Sequence, residues 1–393
     1  MNERLITAIA LVGALGCGHT GRPDNGSQPD ASASDDATPG GDANDCPGCG
    51  HGSATTTAAG LYGTDVRLHY APDGTAYLLV IARDADHPAP QLSLYSQPPG
   101  GAITSTGWQI DVDGENNEFD FAIRSDGTLM IAYQPYELSQ VRFVTWKDGV
   151  ASTPAMVGTT DGASGVSTAI DPAGTLWMTW APGTADAIAA YSIDTGGTRR
   201  SYSLSADTTV EWSSVAYDPA LGEMFAAYSS VFTGTDFGGS LDLSGTAALA
   251  NPCPAESMAF DSGGHEWAIY NTYEPTNTYA CRDGQSEIAS DPRFTGSTTT
   301  SVFETRRLAL DSRDTAYVAT YWADSYTASW YASSDGATWT SGALPTHFGL
   351  ATEQDQPAAA AIALATDPAG RVSIAVIPQY ASMGDAVLHT FAN

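Results

Sequence analysis

Seven stretches of the 393-residue chain repeat one another, and a repeated unit folds as copies of one structure stacked on their neighbours. They are LHYAPDGTAYLLV (68–80), FAIRSDGTLMIAY (121–133), TAIDPAGTLWMTW (168–180), VAYDPALGEMFAAY (215–228), MAFDSGGHEWAIY (258–270), LALDSRDTAYVATY (308–321) and LATDPAGRVSIAV (364–376). Each is a short apolar run, a tight turn of Asp, Pro and Gly, and a second run rich in aromatic and β-branched residues. That is the pattern of a β-hairpin.

Side-chain size is also periodic. Near the end of the first run six repeats carry Ala (Ala122, Ala169, Ala216, Ala259, Ala309, Ala365), and the first carries His69. Three residues past the turn come Tyr77, Met130, Trp177, Phe225, Trp267 and Tyr317, with Ser373 in the last repeat. Small residues suit strands crowded round an axis, and large ones suit the widening wedge between sheets. Two further extended stretches follow each hairpin, such as Val141 to Trp146 and Val150 to Val157, or Tyr326 to Ser333 and Ala337 to Ser341. The expected fold is all-β, a seven-bladed β-propeller of four-stranded antiparallel blades over 54–393. The last repeat lacks a fourth strand, and about Ala54 to Leu61 is expected to complete it, leaving no open edge.

The repeats resemble those of sialidase-like (BNR-type) and NHL-type proteins. Ser333-Ser334-Asp335-Gly336-Ala337-Thr338-Trp339 is similar to the Asp-box of the former, one residue short between Asp and Gly. The resemblance brings a glycan-acting hydrolase or lyase into view as an alternative function. Sialidases hold an acidic sugar with three arginines beside a Tyr/Glu pair; the candidates here, Arg67, Arg124 and Arg307, lie near inner strands with no motif joining them, and Arg-Ile-Pro is absent. No nucleophile elbow, HExxH helix or phosphate-binding glycine loop is present either. The turn residues Asp171, Asp218, Asp261, Asp311 and Asp367 read as structural, because Asp accepts hydrogen bonds from nearby amides.

Ahead of the repeats the chain reads as an address and a tether. Met1 to Gly16 has the charge and apolar run of a signal peptide. Ala14-Leu15-Gly16-Cys17 resembles the lipobox of bacterial lipoproteins, which implies lipidation at Cys17, a membrane anchor and an exported, envelope-bound protein. Gly18 after the cysteine points to the outer membrane. Residues 17–53 are poor in apolar residues and read as a disordered acidic spacer. Export favours disulfides, Cys46 with Cys49 and Cys253 with Cys281. The placement of the second pair strains that reading: Cys253 falls before the fifth blade and Cys281 at the far end of its third strand, separations that can exceed the span of a disulfide.

Charge removes one class of partner. Forty-five acidic residues against 15 basic give −30, which argues against nucleic acid. Asp111, Asp113 and Glu115 invite a structural Ca²⁺, although the glycine spacing is not that of an EF-hand; no other cofactor is required. The loops joining second to third strands, and those joining blades, share one face, the expected binding face. It would display Asp84, Asp86, His87, Tyr136, Glu137, Tyr273, Glu274, Asp324 and Tyr326, with Arg293, His347, Glu353 and Asp355 from the blade connections. Aromatics beside carboxylates suit a glycan or a protein ligand. With no catalytic constellation evident, the leading expectation is a monomeric, surface-tethered binding or scaffold module.

Overall fold

The computed structural model describes residues 54–391, apart from 83–90, 113–117, 136–138, 160–163, 183–186, 206–209, 211, 231–236, 244–252, 254, 273–276, 287–307, 323–326, 345–359 and 380–383. The expected signal peptide, Cys17, the spacer and Cys46 with Cys49 lie outside the described residues.

Every described element is a strand, a turn or a connection. β1 (Ala54–Ala58) precedes the first blade, β2 to β5 (Asp65–Tyr70, Ala76–Ala82, Gln91–Gln97, Thr104–Asp111). The second blade is β6 to β10 (Phe119–Ile123, Leu129–Tyr133, Gln140–Lys147, Val150–Ala151, Ala155–Thr159), and the third is β11 to β14 (Ser164–Ile170, Leu176–Ala181, Ala187–Ile193, Arg199–Ser205). The fourth has three described strands, β15 to β17 (Trp212–Asp218, Glu223–Ser230, Phe237–Asp242). The fifth is β18 to β21 (Ser257–Phe260, Glu266–Thr272, Asn277–Arg282, Gln285–Ser286), and the sixth is β22 to β25 (Leu308–Leu310, Ala316–Trp322, Thr327–Ser333, Thr340–Ala343). The chain ends with β26 to β28 (Ala360–Thr366, Val372–Pro378, Ala386–Thr390).

Hydrogen bonding groups these strands into seven antiparallel sheets, most of them four-stranded, in the manner of a propeller. β1 joins the last sheet beside β28, in register from Ala54 opposite Thr390 to Ala58 opposite Ala386. The first strands pack on one another in order, β2 on β6, β6 on β11 and onward to β22 on β26, with β26 against β2. Two stretches differ from expectation. Val150 to Val157 is not one strand but β9 and β10, because Pro154 between them has no amide for the ladder. In the sixth blade the fourth strand starts at Thr340, not Ala337, because Asp335 Oδ1 takes the amides of Ala337 (2.9 Å) and Thr338 (2.8 Å).

The size pattern maps onto cross-strand pairs. Ala169 lies opposite Trp177, Ala216 opposite Phe225, Ala259 opposite Trp267 and Ala309 opposite Tyr317, while His69 faces Tyr77. Each hairpin turn is locked by its Asp. Oδ1 of Asp171, Asp261, Asp311 and Asp367 accepts the amide four residues on, at 2.8–2.9 Å, from Thr175, His265, Thr315 and Arg371. In the sixth blade Asp314, at φ 61°, occupies the left-handed place that glycine fills elsewhere. Its carboxylate reaches back to the fifth blade, accepting from the amide (2.9 Å) and hydroxyl (2.5 Å) of Ser262.

First strands are edge strands, so their axis-facing amides need partners outside the sheet. One sequence position supplies them. Asp120 Oδ2 accepts the Thr168 amide at 2.8 Å, Ser167 Oγ that of Val215 at 3.2 Å, Ser214 Oγ that of Met258 at 3.1 Å, and Ser257 Oγ that of Leu308 at 3.2 Å. Each residue stands two before the repeat alanine and clasps the next blade. Between last and first blades apolar packing takes over: Ala361, Ala363 and Ala365 lie with Val66 and Leu68 in one buried cluster. Ser214→Ala therefore leaves the Met258 amide orphaned and is expected to cost about 1–2 kcal/mol in denaturant unfolding. An unchanged midpoint would remove the clasp.

Candidate functional site

The clasps line a cavity of about 310 Å³, walled by the first strands. Arg67 and His69 come from β2, Asp120 from β6, Ser167 and Thr168 from β11, Ser214 from β15 and Ser257 from β18, with Leu308 and Leu364 from β22 and β26. Among the described residues its Arg, His and Asp side chains therefore come from the first two blades.

Arg67 is buried, 4% exposed, and its guanidinium is shared out. It donates to Asp65 and to the Val66 carbonyl (2.9 Å), lies over the Phe119 ring at 4.6 Å, and turns Nε towards Asp120 Oδ1 at 4.0 Å. Asp120 is 1% exposed; its other oxygen accepts from both the amide and the hydroxyl (3.2 Å) of Thr168. His69 presents Nε2 to Asp120 Oδ1 at 3.7 Å and sets its ring edge to face with Phe121, centroids 4.7 Å apart. Burying a guanidinium and a carboxylate is tolerable only as a pair, so this wall is compensated internally.

The structure separates two of the three arginines. Arg67 lies in the cavity, whereas Arg124 donates to the carbonyls of Ile193 and Asp194 (both 3.2 Å), at the turn between β13 and β14. Arg307 lies outside the described residues. Among the described residues no sialidase-like triad forms, because Arg124 is spent joining the second blade to the third. The Asp-box-like turn is structural: Ser333 Oγ bonds Asp335 Oδ1 (3.0 Å), Trp339 Nε1 donates to the Gly336 carbonyl (3.1 Å), and Trp339 packs on Trp267.

Of the expected Ca²⁺ ligands, Asp111 is in β5 and accepts from Gln91 Nε2 at 3.1 Å, while Asp113 and Glu115 lie outside the described residues. Among the described residues no three His, Cys, Asp or Glu side chains gather as a metal site. The whole expected binding face, Asp84, Asp86, His87, Tyr136, Glu137, Tyr273, Glu274, Arg293, Asp324, Tyr326, His347, Glu353 and Asp355, also lies outside them.

The doubt over Cys253 and Cys281 is corrected. They form a disulfide with Cα atoms 5.9 Å apart. The segment before β18 does not stay at the opposite end of the blade. The Cys253 amide donates to Glu266 Oε2 (2.9 Å) and its sulfur accepts the Gly284 amide (3.2 Å), which places it beside the turn that follows Cys281 and Arg282 at the end of β20.

Sequence reading missed Asp120, Ser167, Ser214 and Ser257 as a set. Aligned on the repeat alanine, that column runs Arg67, Asp120, Ser167, Ser214, Ser257, Arg307, Ala363. Six successive polar residues at one repeat position, in otherwise apolar strands, are the available signal.

Acid acts on the scaffold in two ranges. Burial holds His389 below its usual 6.5; it is 7% exposed in β28, with Nδ1 2.9 Å from Thr55 Oγ1 of β1. Its folded value is depressed, so the stability of its neutral form is present above about pH 6.5 and is lost as pH falls through the folded value. The carboxyls of Asp126, Asp194 and Asp335, bonded chiefly by the amides of Thr128, Thr198 and Thr338, and of Asp314, bonded chiefly by the Ser262 hydroxyl, lie below their usual 3.8. Their contribution is present above that value and disappears only in stronger acid. Melting temperature should fall in two steps on acidification, and His389→Gln should remove the first; a single step in both proteins would contradict the assignment.

No protein-family model matches the chain, and no curated protein matches its sequence. Solved structures do match in shape. A chain of a mitotic checkpoint complex is 11% identical with a TM-score of 0.51, covering 90% of this chain and 96% of that one. The Dos1 propeller is 12% identical with a TM-score of 0.50, covering 85% and 94%. A neuraminidase-like protein of subtype N10 from A/little yellow-shouldered bat/Guatemala/060/2010 is 11% identical over 87% and 98%, with a looser TM-score of 0.45 that carries no argument. What this chain shares with such proteins is the β-propeller fold, a scaffold that hosts unrelated functions.

Proposed function

We propose that the chain is a surface-tethered seven-bladed propeller, closed by its N-terminal strand, that acts as a binding or scaffold module for a glycan, peptide or envelope protein. In this reading Met1 to Gly16 directs export, Cys17 carries a lipid that anchors the protein to the outer membrane, and 17–53 hold the ring off the bilayer. The protein works as a monomer without a required cofactor, and nucleic acid is not its partner.

The observation that carries the binding reading is the composition of the axial cavity. Hydrolysis of a glycosidic bond usually takes two carboxyl groups about 5–9 Å apart flanking the bond. Among the described residues lining the cavity there is one carboxylate, Asp120, and it is engaged by Thr168 and faced by Arg67. A small, largely pre-formed concavity with a few fixed polar groups suits recognition. The test is a glycan and peptide array probed with the purified chain, followed by hydrolysis and lyase assays on whatever is retained. Saturable retention without turnover is expected. Turnover of a retained glycan would establish the enzymatic alternative, and retention of nothing would remove the binding reading.

A further inference from the structure

We infer that the axial cavity is itself a ligand site and that it takes a neutral polyhydroxylated unit, a single pyranose ring; this rests on the binding reading above and specifies its ligand. The first support is the serine set. Ser167, Ser214 and Ser257 line one cavity from three successive blades, and each Oγ already accepts a backbone amide from the next blade, at 3.2, 3.1 and 3.2 Å. A hydroxyl has one proton to give. With its oxygen fixed by the amide, each serine is a positioned donor whose proton is left for a ligand oxygen, and accepting the amide polarises it further.

Charge compensation gives the second support. Among the described residues the charged groups of the wall are paired: Arg67 lies with Asp65 and Asp120, and the other oxygen of Asp120 takes the amide and hydroxyl of Thr168. An ionic ligand would have to compete with a buried pair, which is costly. Hydroxyl groups make no such demand.

The third support is the asymmetry of the lining. Among the described residues, the sixth and seventh blades add only the apolar side chains of Leu308 and Leu364, next in ring order after the serine blades. A sugar ring has the matching character, with hydroxyl edges and an apolar C–H face. A volume of about 310 Å³ is at the small end of ligand pockets, which admits one ring rather than a chain of them.

The experiment is a methyl NMR titration of the full chain, labelled at Met and Ala, with glucose, galactose, mannose and N-acetylglucosamine, and with acetate and lysine as charged controls. Met258 and Ala259 line the cavity, whereas Met156 lies exposed on β10 and serves as the internal control. The expected result is a saturable shift at Met258 and Ala259 with at least one sugar, unchanged between low and high NaCl, with Met156 unmoved. Ser214→Ala should weaken it about tenfold, the equivalent of one lost buried hydrogen bond. Ser257→Ala gives a second reading should the first variant fold poorly. No shift at Met258 and Ala259 with any sugar, or shifts only with acetate or lysine, would overturn the inference. Retention on the array together with silent cavity methyls would sink this site while leaving the binding reading in place.

Discussion

Asp120→Ala should destabilise the protein by about 2–4 kcal/mol, because the Thr168 amide is left without its acceptor and Arg67 keeps only Asp65 of its two carboxylates. The substitution removes two things at once. Arg67, itself 4% exposed, loses the carboxylate 4.0 Å from its Nε, and the Thr168 amide loses its acceptor. Asp120→Asn is the informative companion. Its side-chain carbonyl can still accept the Thr168 amide, so the clasp survives while the charge does not, and its loss should fall between wild type and alanine. Chemical unfolding followed by tryptophan fluorescence measures both. Equal loss in the two variants would assign the whole effect to the charge pair; near-zero loss in both would mean that Asp120 is not buried against Arg67.

The second large effect concerns the fifth blade. Replacing Cys253 and Cys281 together by alanine should cost about 3–4 kcal/mol, from the entropy released when a 28-residue separation is no longer closed in the unfolded chain. The bond sits where β20 meets β21, next to the pair Cys281 opposite Ser286, so its loss should be felt there first. Hydrogen exchange should accordingly rise in β20 more than in β27, whose blade is completed by β28 and β1. A uniform rise across all blades would show that the bond acts on global stability without a local role.

Much of the architecture was legible because its causes are local and repeated. A turn Asp, a left-handed residue and an alanine facing an aromatic recur at fixed spacing, and each is a short-range requirement that sequence records directly. Even the departure at Asp314 keeps the rule, since Asp is among the non-glycine residues that enter that conformation.

The candidate site was less legible for a physical reason. The residues that each blade contributes are about 50 positions from those of the next and meet only across blade boundaries, so no short window shows the site. Arg67, Asp120 and Ser167 look like isolated polar interruptions of apolar strands until the inner strands stand side by side. His69 stands out in the sequence as the exception to the alanine column, but its significance lies in facing Asp120 at 3.7 Å, a relation between blades. The disulfide shows the same limit: strand assignment located each cysteine along its own segment, while the path of the chain past the Glu266 and Gly284 end decided that they meet.

Residue-resolved hydrogen exchange at the amides of Thr168, Val215, Met258 and Leu308 tests most directly whether the inner strands clasp one another round a common axis. If they do, these four exchange as slowly as amides within the sheet ladders, and Ser214→Ala accelerates Met258 alone. Rapid exchange of all four in the unaltered protein would mean that the first strands stand as open edges, and the axial cavity would not exist.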